Sequence, residues 1–259
     1  RRLPAWQLQR MWRMPWACCR DYRWEEKLLM SVMRIEVKKE GPVRYLSHLD
    51  YVEALQRALR RSGLPIAYSQ GFNPHMKVSF AVALAVGVAS EGEWADVELA
   101  ELVSSQEFFE RLAPSLPEGM KLLRVRLYPE KPKSLSTVLR AASYRASWEL
   151  APINEMGKLH QTLEDAWKEP EIMWESRSPK GVRRMDIRQE LVKKLLLEEN
   201  NGRTELKFWL KLSPTGSLKP TFLLEYLESK GFLSSKGANL VREGLWAPDE
   251  VGWKSPVED

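Results

Sequence analysis

The sequence predicts an α+β fold in which helices pack on one face of antiparallel sheet, arranged as two units in succession. Three observations point there. Segments that alternate between apolar and polar residues recur in both halves, at Val32–Lys39, 94–99, 121–128, 143–150 and 206–212. Between them lie segments with apolar residues at spacings of three and four, the repeat of a helix with one buried face. The run Pro129-Glu130-Lys131-Pro132-Lys133 then divides the chain with two prolines and three charges, a composition suited to a linker.

The first unit opens with Val32–Lys39, where Val32, Arg34, Glu36 and Lys38 oppose Met33, Ile35 and Val37. A helix over 47–62 is signalled from both ends. Ser47 is placed as N-cap with Asp50 three residues on, and Gly63 and Pro65 stop it after Arg57, Arg60 and Arg61. Leu49, Val52, Leu55 and Leu59 give it an apolar stripe. Residues 64–68 read as a strand antiparallel to that helix, followed by β-capable 78–88 and alternating 94–99. A second helix covers 107–112, ended by Pro114 and Pro117, and 121–128 closes the unit. The order β-α-β-β-α-β is that of a ferredoxin-like sandwich.

The second unit repeats this logic. Strand 143–150 leads to a helix over 152–168 carrying Ile153, Met156, Leu159, Leu163 and Trp167. Strands follow at 171–175, 183–187 and 206–212, with 191–197 open between strand and helix and a turn at Asn200-Asn201-Gly202. Pro220 starts a helix through Leu223, Leu224 and Leu227 that Gly231 stops. The expected architecture is therefore two ferredoxin-like (βαββαβ-type) subdomains with antiparallel sheets, at 30–130 and 134–246. A loose tail is expected from 247 to 259.

Composition bounds the rest. The chain has 259 residues, 44% of them hydrophobic and 29% charged, which is the profile of a globular chain. No apolar run approaches the roughly 20 residues that cross a bilayer as a helix, so no membrane association is expected. The net charge is +5, but residues 1–29 hold seven Arg/Lys against three Asp/Glu, so the remainder is close to neutral. Those 29 residues also carry four of the eleven tryptophans and both cysteines, Cys18 and Cys19, without the apolar core of a signal peptide. They read as a non-domain leader; the alternative is an Arg/Trp-rich arm for a partner or RNA. The cysteine-free body fits a cytoplasmic setting and argues against a disulfide scaffold or zinc ribbon.

The chemistry concentrates around the 47–62 helix. The loop before it supplies Arg44, Tyr45, His48 and Asp50, and the loop 69–77 supplies Gln70, Phe72, Asn73, His75 and Lys77. Capping explains Asp50, and turn geometry explains Gly71 and Asn73-Pro74. The surplus of Tyr45, Gln70, Phe72, His75 and Lys77 suits a base or nucleotide, through stacking plus edge hydrogen bonds, and equally an ordinary polar loop. His48 and His75 lack the local spacing of a metal motif, and no nucleophile, oxyanion hole or cofactor loop accompanies them, so neither metal nor cofactor is expected. The pair Asp186 and Arg188, two apart on one face of a strand, reads as structural. The basic runs at 180–184 and 193–194 read as solvated faces partly cancelled by Glu190, Glu198 and Glu199.

The motif RYLSHLD at 44–50, followed by YSQGFNPHMKVSF at 68–80, resembles a bacterial family, the radical-SAM-linked domain of unknown function. The likeness continues through Gly87, Ser90, Glu93, Asp186-Ile187-Arg188 and Lys219-Pro220, covering roughly 32–246. Two positions depart from the family pattern. Met76 replaces a usual proline and Lys219 a usual arginine, and lysine lacks the planar fork for a bidentate anion contact. Members occur beside, or fused to, radical S-adenosylmethionine proteins. The resemblance thus implies a radical-SAM partner for a non-catalytic, substrate-positioning accessory domain. The two cysteines here are fewer than the three that hold a radical-SAM cluster. An RNA-binding module in RNA processing or modification is the alternative, and a stand-alone enzyme using His48 and His75 the least favoured reading. Substrate or partner contacts are expected at Arg44, Tyr45, His48, Asp50, Gln70, Phe72, Asn73, His75 and Lys77.

Overall fold

The computed structural model describes residues 31–149, 155–178, 181–213 and 216–256; the expected leader lies outside them. The main chain builds one mixed, mostly antiparallel nine-stranded sheet with helices, not a separate sheet for each half. The first half contains β1 (Val32–Lys39), α1 (His48–Arg61), β2 (Val78–Phe80), β3 (Ala89–Glu98), α2 (Ser105–Leu112) and β4 (Met120–Tyr128). After the short α3 (Leu135–Val138), the second half contains β5 (Ala141–Glu149), α4 (Met156–Lys168), the hairpin β6 (Met173–Ser178) and β7 (Gly181–Asp186), and the short α5 (Ile187–Glu190). It continues with β8 (Leu196–Asn200), β9 (Arg203–Lys211), α6 (Pro220–Ser229), β10 (Asn239–Asp249) and β11 (Gly252–Lys254). The order β4-β1-β3-β2 in the first half matches β10-β5-β9-β8 in the second, all antiparallel. The halves fuse where β3 and β10 pair in parallel, over Val241↔Ala89 and Arg242↔Ser90.

Local chemistry accounts for α1 better than the apolar stripe does. The Ser47 hydroxyl accepts the Asp50 backbone N–H at 3.2 Å and donates to the Asp50 carboxylate at 2.6 Å, which fixes the start of the helix. The face turned to the core carries Tyr51, Leu55, Ala58 and Leu59. Leu49 is 77% exposed and Val52 only half-buried, so the stripe is rotated from its expected line. Tyr51 takes the place expected of Leu49 because an aromatic ring fills more core volume. Gly119, at φ +85°, lies so close to the turn after β1 that a Cβ there would meet the Glu40 carbonyl oxygen at 2.5 Å.

Several expected strands are shorter or absent. Residues 64–68 form only the isolated bridges Ile66↔Leu99 and Tyr68↔Met76. Backbone bonds from Ala67 to Glu98 and from Lys77 to Ala67 set this stretch and the 69–76 loop off the edge of β3. Within the expected strand 78–88, only Val78–Phe80 pairs; the rest is a loop that buries Ala81, Leu84 and Val88 in the core of the second half. The ambiguous stretch 191–197 resolves into a bridge at Leu191 and the start of β8. The predicted turn joins β8 to β9, with Asn201 and Gly202 at φ +49° and +71°, the left-handed pair of a tight hairpin.

Two further expectations are corrected. Asp186 and Arg188 do not share a strand face: the Asp186 carboxylate accepts backbone N–H groups from Arg188 (3.0 Å) and Ile172 (2.9 Å), tying α5 to the entry of β6. Part of the expected loose tail, 247–254, is paired instead. β10 runs on to Asp249 and turns back into β11, with Trp253 against Trp209 at 5.9 Å. Tryptophan area offsets the low hydrophobicity of the Pro/Gly-containing stretch.

Two apolar cores result. One gathers α1, α2 and the helix-side residues of β1, β3 and β4 around Met33, Ile35, Leu55, Val97 and Phe108. The other centres on Tyr144, Leu206, Phe208 and Leu227, and receives Ala81, Leu84, Val88 and Trp94 from the first half. On the opposite side of β1 and β3, charged residues are buried too. Arg34 grips Asp96 with two bonds of 2.7 and 3.0 Å, and Arg124 meets Glu36 at 2.5 Å. Arg34 also donates to the carbonyls of Lys133 and Pro256, so the linker and the end of the described chain cross this side. No helix among the described residues is long and apolar enough to cross a membrane.

The rotated helix gives a direct test by chemical denaturation. Leu55→Ala should cost about 2–5 kcal/mol, as expected of a fully buried leucine, whereas Leu49→Ala should change stability by less than ~0.5 kcal/mol. Ser47→Ala should cost about 1 kcal/mol through loss of the cap.

Candidate functional site

The end of β1 and the start of α1 meet over β3, and there the fold buries polar groups that its core does not require. Lys39 follows Met33, Ile35 and Val37 on the inward parity of β1 and is only 1% exposed. Its ammonium donates to the Leu46 carbonyl at 3.2 Å and sits 5.2 Å from the centre of the Tyr51 ring. It forms no ion pair with any described residue. His48, the first residue of α1, turns its ring edge-on to Phe80 at 5.8 Å, and Phe80 in turn contacts Tyr51. Neither His48 nor the hydroxyl at the tip of the buried Tyr51 has a hydrogen-bond partner among the described residues, and that hydroxyl is not fully enclosed. Lys39, His48, Tyr51, Phe80, Val82, Leu84, Glu93 and Trp94 line a pocket of about 280 Å³ with its mouth included. The space admits about one water molecule.

The floor of this pocket is the seam between the halves. Glu93 of β3 takes both nitrogens of a fork from Arg242 of β10, Nε at 2.9 Å and Nη2 closer still, and Nη2 also donates to the Val82 carbonyl at 3.2 Å. Tyr144 adjoins the same guanidinium and stacks on Phe208. Burial pushes the Lys39 ammonium below its ordinary pKa, with Glu93 opposing and Arg242 adding to the effect. Burial likewise lowers His48, against Glu93 and with help from Lys39 and Arg242. It raises the Tyr51 phenol well above its ordinary value. Near neutral pH the site therefore offers a neutral imidazole, an intact phenol and an ammonium with free N–H groups, all of them able to donate.

The expected site residues do not gather here as a set. His48 does line the pocket. Arg44 is spent on structure: its guanidinium bonds Gly87 O (2.7 Å), Asn239 Oδ1 (2.8 Å) and Leu240 O (3.4 Å), clamping one half to the other. Asp50 is engaged with Ser47 in the cap. Tyr45 is 67% exposed beside the pocket's helix. Lys77 pairs with Glu98 at 3.3 Å, a carboxylate it shares with Lys131. Gln70, Phe72, Asn73 and His75 are exposed in the other loop, which Ser69 closes by accepting the His75 N–H at 2.9 Å. That loop springs from β3 at Glu98 while the pocket lies at Glu93, and five strand residues span about 17 Å. Among the described residues no hydrogen bond, ion pair or ring contact links the loop to His48. The Met76 departure also has a place, since that side chain is buried in the first core.

Lys39, Tyr51 and Arg242 were not among the expected site residues. One signal was available: Lys39 extends the apolar parity of β1 into a position where a charge is out of place. Nothing in the sequence joins Arg242 to Glu93 across 149 positions. Among the described residues no three or more His, Cys, Asp or Glu side chains are grouped to hold a metal.

The depressed His48 pKa has a definite sign in stability. As pH falls through about 6.5, the unfolded chain takes up this proton first, so folding stability drops until the lower folded pKa is passed. His48→Gln should flatten that part of a melting-temperature series against pH. Lys39→Met should likewise remove a rise in stability as pH climbs towards 10.5, where the unfolded lysine releases its proton. His75→Ala should leave stability within ~0.5 kcal/mol.

No curated protein matches the chain. Among solved structures it is similar to a chain in one titled "Crystal Structure of a Cbf5-Nop10-Gar1 Complex", at 14% sequence identity and a TM-score of 0.42. The match covers 84% of this chain and 49% of that one, so this chain spans about half its length. Residues 33–220 match the model of a family described as uncharacterized proteins conserved in bacteria (DUF2344), a stretch that takes in every residue lining the seam pocket but not Arg242. The chain belongs to that uncharacterized bacterial family.

Proposed function

We propose that the chain is an accessory domain that positions a substrate for a separate radical-SAM protein, without carrying out the reaction itself. The supporting observation is the seam pocket. Lys39, which has one acceptor in the Leu46 carbonyl, lines one small space with His48 and Tyr51 beside a fixed Glu93–Arg242 pair, an arrangement suited to holding a polar group in one orientation. Exposed Tyr45 and Leu49 flank His48 in the chain, and Val86 lies near them because Gly87 bonds to the Arg44 carbonyl at 2.9 Å. This apolar rim gives a partner protein something to cover. In this reading each half is a ferredoxin-like unit, the setting is cytoplasmic, and the partner completes the site.

The second reading, an RNA-binding module, draws on the other side of the sheet. Trp209 stacks on Trp246 at 5.0 Å, Trp253 leans against it, and the Lys193 ammonium lies 3.8 Å from the Trp209 ring centre. Half-buried indoles with lysines beside them are a surface on which bases stack.

Salt separates the two. With the chain as bait in cells of its own host, a radical-SAM protein should remain bound from low to moderate salt, and Leu49→Arg should release it while leaving the fold intact. If nucleic acid is retained instead, its affinity falls steeply over the same range, and Trp209→Ala weakens it, the RNA reading replaces the first.

A further inference from the structure

The charges around the pocket do not balance. Two buried cations, Lys39 and Arg242, face one buried carboxylate, Glu93, and that carboxylate is already engaged by both nitrogens of the Arg242 fork. Lys39 is left with one backbone carbonyl as acceptor and an aromatic face beside it. A buried ammonium in this state is costly unless a counter-charge reaches it or it gives up its proton. The neighbouring groups bear on which remedy the site uses. The Tyr51 hydroxyl and the His48 ring line the same space and bond to no described residue. An ammonium left merely to deprotonate would need no second and third donor beside it.

We propose that this pocket binds an oxyanion, a single carboxylate or phosphate group of the molecule the chain takes up. Lys39 supplies the counter-charge, and Tyr51 and His48 donate hydrogen bonds. The space, which admits about one water molecule, takes one oxygen of such a group and leaves the rest of the ligand outside it. Glu93 is held away from the anion by Arg242, which neutralises it. The seam pair therefore lets an anion sit near a carboxylate without repulsion. The inference rests on the pocket of the proposed function and needs no radical-SAM partner.

Thermal unfolding of the whole chain tests it directly, with sodium phosphate or sodium acetate compared against sodium chloride at equal ionic strength. At anion concentrations well above its dissociation constant, the melting temperature should rise by roughly 2–4 °C or more. A response to phosphate alone assigns a phosphate ligand, one to acetate alone a carboxylate, and one to both the shared oxyanion chemistry. Lys39→Met, which keeps the apolar stem, should abolish the rise and melt higher than the unmodified chain in chloride, because the uncompensated charge is gone. Should that variant not fold, Tyr51→Phe, which deletes only one donor, should at least halve the rise. The proposal is overturned if neither anion shifts the melting temperature, or if Lys39→Met or Tyr51→Phe responds as the unmodified chain does. A loss of radical-SAM binding with the anion response intact would sink the functional reading and leave this one standing.

Discussion

The Glu93–Arg242 pair is the constraint from which most of the architecture follows. Both side chains are buried, and each is provided by a different half of the chain. Removing either partner would leave a charge stranded in low dielectric, a penalty of about 3–5 kcal/mol for pairs of this kind. The halves therefore cannot part, or slide by one residue along β3 and β10, without exposing that cost. β3 and β10 pair as strands at only two described positions, too few to fix the register unaided. The buried ions, with the Arg44 clamp onto Asn239 and Leu240, supply the specificity that the short strand pairing lacks.

The same pair links fold and pocket. β1 presents Lys39 because its inward parity runs one residue past the apolar segment. α1 presents His48 and Tyr51 because the Ser47 cap sets where the helix begins. β3 presents Glu93 on the strand that both halves share. A polar site is thus assembled from elements each fixed for local reasons, and the seam holds them in place.

Much of this was legible in the sequence, and the losses have identifiable causes. The cap at Ser47 and the turn at Asn201-Gly202 follow from short-range rules that need no partner. The fusion into one sheet was not legible, because it turns on pairing between β3 and β10 about 150 positions apart in the chain. Leu49 was misplaced because leucine at helical spacing reads as core, while Tyr51, two positions on and across the helix, supplies the buried side chain of that turn. The site was half visible. His48 was picked out by its type and its motif, but Arg44 and Lys77, chosen on the same grounds, are taken up by Asn239 and Glu98. A basic residue's type says that it will find an acceptor; only the fold says whether that acceptor is inside the molecule.

Arg34 has a bearing on how such a molecule is put together. One guanidinium receives the carbonyl of Lys133, where the second half begins, and that of Pro256, where its hairpin is complete. Entry and exit of that half thus lie within reach of a single side chain, like a cassette slotted through one doorway. The chain enters and closes the second half at one place, while Arg242 ties that half to Glu93 of the first. The second core nonetheless takes Ala81, Leu84, Val88 and Trp94 from the first half, so this doorway joins two units that are packed as one body.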